Sequence, residues 1–241
     1  MQPGYGQPPQ QPPPPGYAPP QGGYGGPGPE GPYPVRLAIA YPDRELNRVT
    51  TFFRLFTVIP IAIVLAAIGG SFAVSGYAND SGTMVTSGAT FGGLLVLPPL
   101  LMIVFRRKYP RWWYDWNLEL SRFSMRVGAY FQLLDDTYPS TDEQQSVWLE
   151  LDYPDAQRDI NQFMPLVKWL LAIPHFIVLL FLGVAAFFVL IYAWFAILFT
   201  GRYPRGAFDF IVGVNRWYMR VMGYAFLMLT DRYPPFSLDP Q

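Results

Sequence analysis

The chain has 241 residues, with 17 Lys plus Arg against 17 Asp plus Glu and a formal net charge of zero, a balance that excludes a basic domain seeking nucleic acid or another polyanion. Hydrophobic residues make up 51%, aromatics 17% and charged residues only 14%, where a soluble domain carries about 25% charged, so the composition points to lipid. Cysteine is absent and there is one histidine, which excludes disulfide scaffolds, Cys-ligated metals and thiol nucleophiles and weakens any His-based metal site or triad.

Residues 1–34 are a Pro-, Gly- and Tyr-rich stretch with almost no aliphatic side chains. Such a segment buries too little apolar surface to offset its chain entropy and is expected to be a disordered tail of polyproline character. It has neither the basic start nor the apolar run of a signal peptide. Period-2 patterning follows at Val35, Leu37, Ile39 and Tyr41 and returns at Val147, Leu149, Leu151 and Tyr153, which predicts two short strands. A lone strand leaves its backbone unpaired, so the two are expected to pair antiparallel with each other, Arg36 facing Glu150 or Asp152.

Apolar runs at residues 55–74 and 91–105 are expected to cross a membrane as an antiparallel pair. Trp169 to Gly201 is a further run of 33 residues, which as one helix would be about 50 Å long and exceed a hydrocarbon core of about 30 Å. Two short crossings near 166–182 and 184–200, turning at Gly183, are expected instead. The basic residues group as Arg36 to Arg54, Arg106 to Lys168 and Arg202 to Arg232, and none falls in 75–90 or at the turn near Gly183. By the positive-inside rule, four crossings then put both termini and the central segment on the cytoplasmic side of the plasma membrane.

Aromatic-rich segments near 112–134 and 207–229 each carry two arginines near the middle, Arg122 with Arg126 and Arg216 with Arg220. Arginines at the bilayer centre are costly, so these segments are expected to be amphipathic interfacial helices; the alternative is a pair of core helices in a small cytoplasmic cap.

These elements come twice, in the same order. Tyr41-Pro42-Asp43 returns as Tyr153-Pro154-Asp155, Arg54 as Lys168, Ile59-Pro60 as Ile173-Pro174, and Tyr109-Pro110-Arg111 with Asp115 as Tyr203-Pro204-Arg205 with Asp209. Arg122, Arg126 and Tyr130 return as Arg216, Arg220 and Tyr224, and Tyr138-Pro139 as Tyr233-Pro234. The expected fold is therefore an all-α membrane protein of two parallel pseudo-repeats, residues 35–140 and 141–241, with four transmembrane helices, interfacial helices and a short cytoplasmic strand pair behind a disordered tail.

The second copy, through Lys168-Trp169-Leu170-Leu171-Ala172-Ile173-Pro174-His175, Gly201-Arg202-Tyr203-Pro204-Arg205, Arg216-Trp217, Arg220-Val221 and Asp231-Arg232-Tyr233-Pro234-Pro235-Phe236, resembles domain of unknown function 4389, a family of bacterial, largely actinobacterial, polytopic membrane proteins. The resemblance is close over 147–238 and looser over 35–139, which looks like a diverged first copy with Ile61 in the place of His175. It implies membrane topology and no activity.

Two groups are candidate sites. His175, next to Pro174, is an ionisable group inside an expected crossing: either a proton relay or ligand contact, or a structural partner for a backbone group that the proline frees. Asp115, Arg122 and Arg126, repeated as Asp209, Arg216 and Arg220, fall roughly on one helix face, either as a cradle for anionic lipid or phosphate or as an ion-pair network between the copies. Arg54 and Lys168 are expected to snorkel, and Asp135, Asp136, Asp142 and Glu143 to form a solvated linker. Nothing in the sequence has the spacing of a catalytic, metal or cofactor site, so the expectation is a non-enzymatic scaffold or accessory subunit with no cofactor. Its partners would be the bilayer, anionic headgroups and another membrane protein, and not nucleic acid. The alternative is a small transporter or lipid-handling channel built from two pseudosymmetric hairpins, which would need a polar path lined by residues such as His175, Tyr192 and Thr57; a membrane enzyme is a third possibility.

Overall fold

The expected strands form and pair. In the computed structural model, which describes residues 33–68, 97–141, 143 and 145–240, β1 (Val35–Ile39) and β2 (Val147–Leu151) are antiparallel with Leu37 opposite Leu149. Bonds from Ala40 N to Ser146 O and from Asp152 N to Pro34 O, both 2.9 Å, extend the ladder at each end. Arg36 lies opposite Glu150, donating to it through Nε at 3.0 Å and to Asp152 through Nη2 at 2.6 Å. The helices are α1 (Arg48–Ile68), α2 (Leu97–Arg106), α3 (Arg111–Phe131), α4 (Met164–Leu171), α5 (Ile173–Thr200) and α6 (Arg205–Ala225).

The tail through residue 32, residues 69–96 with Asp80 and the loop between the first two expected crossings, and Asp142 lie outside the described residues. Tyr33 and Pro34, assigned to the tail from sequence, belong to the fold. Tyr33 is 1% exposed and donates to Arg232 O at 3.2 Å.

Three expectations are corrected. First, no turn occurs at Gly183: α5 runs unbroken from Ile173 to Thr200. It has no proline beyond Pro174, and a helical glycine costs only about 1 kcal/mol relative to alanine, less than the backbone bonds a turn would break in apolar surroundings. The helix stops at Gly201, whose φ of 73° is left-handed and suits glycine. Second, α1 and α2, the described parts of the runs 55–74 and 91–105, do not lie as an antiparallel pair. The start of α1 lies beside the end of α5, where Trp194 Nε1 donates to Thr51 O at 3.2 Å and Leu46 N to Gly201 O at 2.8 Å. The end of α2 lies at the other end of α5, packed on α4, with Gln162 Nε2 donating to Val104 O at 2.6 Å. Residues 173 to 194 of α5 alone separate these junctions by about 32 Å, whereas a hairpin brings its two ends together.

Third, α3 and α6 are core helices rather than interfacial ones. The strand face formed by Val35, Leu37, Ile39, Val147, Leu149 and Leu151 shares one buried cluster with both helices, α6 packing on β1 and α3 on β2. The approach is tight at Gly223, where a Cβ would sit 2.5 Å from Val35 Cγ2. On their far side α3 carries α1, through Phe123, Val127 and Tyr130 against Val58 and Ile61, and α6 carries α5. Three layers result: sheet, α3 with α6, and the apolar helices. Helices make up most of the described residues, and two stretches among them, Arg48–Ala67 and Met164–Thr200, are long and apolar enough to cross a membrane.

Candidate functional site

The four arginines of the candidate cluster grip backbone carbonyls. Arg122 Nε donates to Leu149 O at 3.2 Å and Arg216 Nε to Leu37 O at 3.0 Å, so each helix is pinned to the centre of the strand it covers. Arg126 Nη1 donates to Ser140 O and Thr141 O at 3.1 and 3.2 Å, and Arg220 Nη2 to Ser237 O and Asp239 O at 2.9 and 3.0 Å. Each of these two side chains thus holds the segment that follows its own helix. Charge-assisted bonds of this kind are stronger than neutral ones. Burial, first of all, pushes the Arg220 guanidinium below its usual pKa. Asp115 pairs with Arg111 at 3.2 Å, Arg122 also pairs with Glu119 at 2.5 Å, and Asp209 is exposed.

Arg54 and Lys168 do not snorkel; they are buried, at 2% and 0% exposure. Arg54 pairs with Asp136, donates to Tyr130 O at 2.9 Å and stands 4.1 Å above the Tyr130 ring. Lys168 Nζ lies 2.8 Å from Asp231 Oδ1 and donates to Thr230 O at 2.7 Å, 5.3 Å from the Tyr224 ring centre. Asp136, expected to be solvated, is thus the partner of a buried cation. The signal was present in sequence: each acid stands two residues before a Tyr-Pro, as Asp136-Thr137-Tyr138-Pro139 and Asp231-Arg232-Tyr233-Pro234.

His175 is fully buried, stacked on Phe236 at 4.0 Å between ring centres, and accepts at Nδ1 from Trp217 Nε1 at 3.0 Å. An indole can only donate, so this bond makes Nδ1 the acceptor and puts the proton of the neutral ring on Nε2. Its partner is an indole on α6, not a backbone group freed by Pro174. Tyr192 is 60% exposed on the same helix, about 26 Å further along, and Thr57 Oγ1 bonds Tyr130 Oη at 2.8 Å. The three therefore do not line one path. Among the described residues no group of three His, Asp or Glu side chains is placed to hold a metal ion.

Two further features bear on function, the first of them not foreseen in the sequence. One is a cavity of about 370 Å³ between α3 and α6, lined among others by Trp113, Asn117, Ser121, Met125, Met219 and Met222. At the C-terminal end of α3, Gln132 and Asn215 exchange amide bonds at 2.6 and 3.2 Å across these two helices. The other is the outer face of α5. Ile177, Leu180, Phe181, Val184, Phe187, Phe188, Ile191, Phe195 and Phe199 are each at least 41% exposed and recur every three or four residues, a stripe along the whole helix. The opposite stripe packs inward. Phe176, Leu179 and Leu182 meet Trp217, Val221 and Tyr224, and further on Ala193 and Ile197 share a cluster with Ala207, Phe208 and Ile211. On α1 the exposed face holds Phe52, Leu55, Phe56, Ile59 and Ile63. Exposed apolar area on this scale marks a surface that water does not cover.

Residues 165–237 match the family model described as domain of unknown function (DUF4389). No curated protein and no solved structure matches the chain. The matched span runs from α4 through the segment that Arg220 and Lys168 hold, and the family description carries no activity.

Proposed function

We propose that the chain is a non-enzymatic scaffold or accessory subunit of the cytoplasmic membrane, built from two related halves, which lies along the bilayer on its apolar helices instead of threading through four crossings. The observation that carries this reading is the layering at α5. Its outer stripe is apolar from Ile177 to Phe199, its inner stripe rests on α6, and α6 rests in turn on β1. Both ends of α5 are tied to the same polar layer, through Lys168 and Asp231 at one end and through Leu46 and Gly201 at the other. If α5 stood upright, α6 with Arg216 and Arg220 and the sheet beyond it would lie at bilayer depth, where charged groups are costly. Lying flat, it puts only its apolar face into lipid. Arg48, Arg106, Arg107, Lys108 and Arg202, all exposed at the ends of the apolar helices, are then available to anionic headgroups.

The two-half reading is supported by matched pairs. Arg122 on Leu149 answers Arg216 on Leu37, and Leu37 and Leu149 face each other at the centre of the ladder. Tyr41 Oη on Tyr203 O at 2.6 Å answers Tyr153 Oη on Tyr109 O at 2.5 Å. Each half lends its strand to the other half's helix. A second reading, a small lipid-handling protein, draws its support from the cavity between α3 and α6.

Flotation of the full chain with phosphatidylglycerol vesicles tests the seat. Phe181→Asp with Phe188→Asp puts two carboxylates on the outer stripe, where contact with lipid is costly for a charge. The variant is expected to leave the vesicle fraction while keeping its circular dichroism; undiminished flotation would overturn the reading.

A further inference from the structure

The apolar layer enters a bilayer only to a set depth. On the inner stripe of α5, Phe176, Leu179 and Leu182 pack against Trp217, Val221 and Tyr224 of α6. On α1, Val58 and Ile61 pack with Phe123, Val127 and Tyr130 of α3, while Phe52, Leu55, Phe56, Ile59 and Ile63 are exposed. Sinking the layer further would carry α3 and α6, with Arg126 and Arg220, into hydrocarbon, where charged groups are costly. Immersion of α1 and α5 therefore stops at about half a helix diameter, about 5–6 Å. One leaflet supplies about 15 Å of a hydrocarbon core of about 30 Å, so the insert fills only the part of one leaflet next to the headgroups.

We propose that α1 and α5 form a wedge in a single leaflet, which concentrates the chain where that leaflet is convex. The inference rests on the membrane seat proposed above and adds the membrane shape which that seat selects. The two helices have 21 and 28 residues, which makes them about 32 and 42 Å long and about 10 Å wide. Lying flat, they claim on the order of 700 Å² near the headgroups of one leaflet and nothing from the other. Curving that leaflet outward makes room for the added area, and inserts of this depth bind in a curvature-sensitive way. The rings of the outer stripe are bulky, with Phe181, Phe187, Phe188, Phe195 and Phe199 between 49% and 78% exposed. Charge complements the same occupant. Arg48 borders Gly201 and so lies with Arg202 at one end of α5, and Arg106, Arg107 and Lys108 follow α2 at the other. Between them α5 carries no Lys or Arg, which suits an apolar insert surrounded by anionic headgroups. A crossing helix would displace both leaflets alike and would have no such preference.

The full chain, labelled with a fluorophore through Gln157→Cys at an exposed position of the polar layer, would be added from dilute detergent to the outside of giant vesicles. These contain phosphatidylglycerol and phosphatidylcholine with a lipid dye, and a narrow tube is pulled outward from each, so that the outer leaflet is convex on the tube. The expected result is a ratio of protein to dye severalfold higher on the tube than on the vesicle body. Phe181→Ala, Phe187→Ala and Phe188→Ala together thin the wedge and should bring that ratio close to one in a chain whose circular dichroism is unchanged. Enrichment that survives all three replacements would overturn the assignment to this stripe. Equal density on tube and body, with the chain bound to both, removes the wedge alone. A chain that binds neither removes the seat and the wedge together.

Discussion

Replacing either member of the Lys168–Asp231 pair should destabilise the fold, and the two replacements should differ. Lys168 is fully buried, whereas the Asp231 side chain is 22% exposed. Removing one partner of a buried ion pair costs about 3–5 kcal/mol, because the other charge is left uncompensated. Asp231→Asn leaves an ammonium with neutral neighbours alone, the carbonyl of Thr230 at 2.7 Å, the Tyr224 ring and the new amide, and belongs at the upper end of that range. Lys168→Met leaves a carboxylate that water reaches in part and that still accepts from Asn161 N at 2.6 Å, and belongs at the lower end. The double variant Lys168→Met/Asp231→Leu should recover most of the loss, since no charge is stranded. Equilibrium unfolding in mild detergent measures all three. Two single variants that each cost less than about 1 kcal/mol, as an exposed pair does, would refute the reasoning.

Gly223→Ala should cost about 1–3 kcal/mol, because its Cβ would meet Val35 Cγ2 at 2.5 Å; the penalty should shrink in a Val35→Ala background, read from the same unfolding curves. Trp217→Phe should cost about 1–3 kcal/mol by leaving His175 Nδ1 as a buried acceptor without its donor, and adding His175→Phe should cost less than the two single changes summed. Burial, followed by the Asp152 charge, pushes the Tyr114 hydroxyl up to about 12 from 10.0. Its bond to Leu151 O therefore contributes stability that is complete below pH 10 and is lost as the pH rises through about 12. Tyr114→Phe should flatten the loss of stability between those limits in alkaline unfolding followed by circular dichroism.

Much of the frame was legible. Period-2 patterning located both strands, and the unmet backbone of a lone strand led to their antiparallel pairing with Arg36 facing Glu150 or Asp152; one residue of slip would turn Leu37 and Leu149 away from the core. The aromatic-rich segments expected near 112–134 and 207–229 overlap α3 and α6, which end three and four residues earlier. The depth at which these helices lie was not legible. The sequence of α6 suits an interfacial helix as well as a core helix, and what decides is the strand donated from the other half, a contact across 179 residues between Arg216 and Leu37. Gly183 misled because glycine permits a turn without requiring one. Arg54 and Lys168 misled because their acids lie 82 and 63 residues away, beyond any local spacing. The cavity has no sequence signature, since Asn117, Ser121, Ser124 and Met125 on α3 and Met222 on α6 acquire meaning only when the two helices stand side by side.

The central claim is the lie of α5 along the membrane, and the absence of cysteine makes single-cysteine spin labelling clean. Labels at Ile177, Val184, Ile191 and Phe195, all on the outer stripe, would be placed in depth by competing oxygen and water-soluble nickel relaxation in phosphatidylglycerol vesicles. A helix lying in the plane gives all four positions nearly the same depth. A crossing helix separates Ile177 from Phe195 by about 27 Å along its axis, with depth passing through the bilayer centre between them, and that pattern would contradict the account.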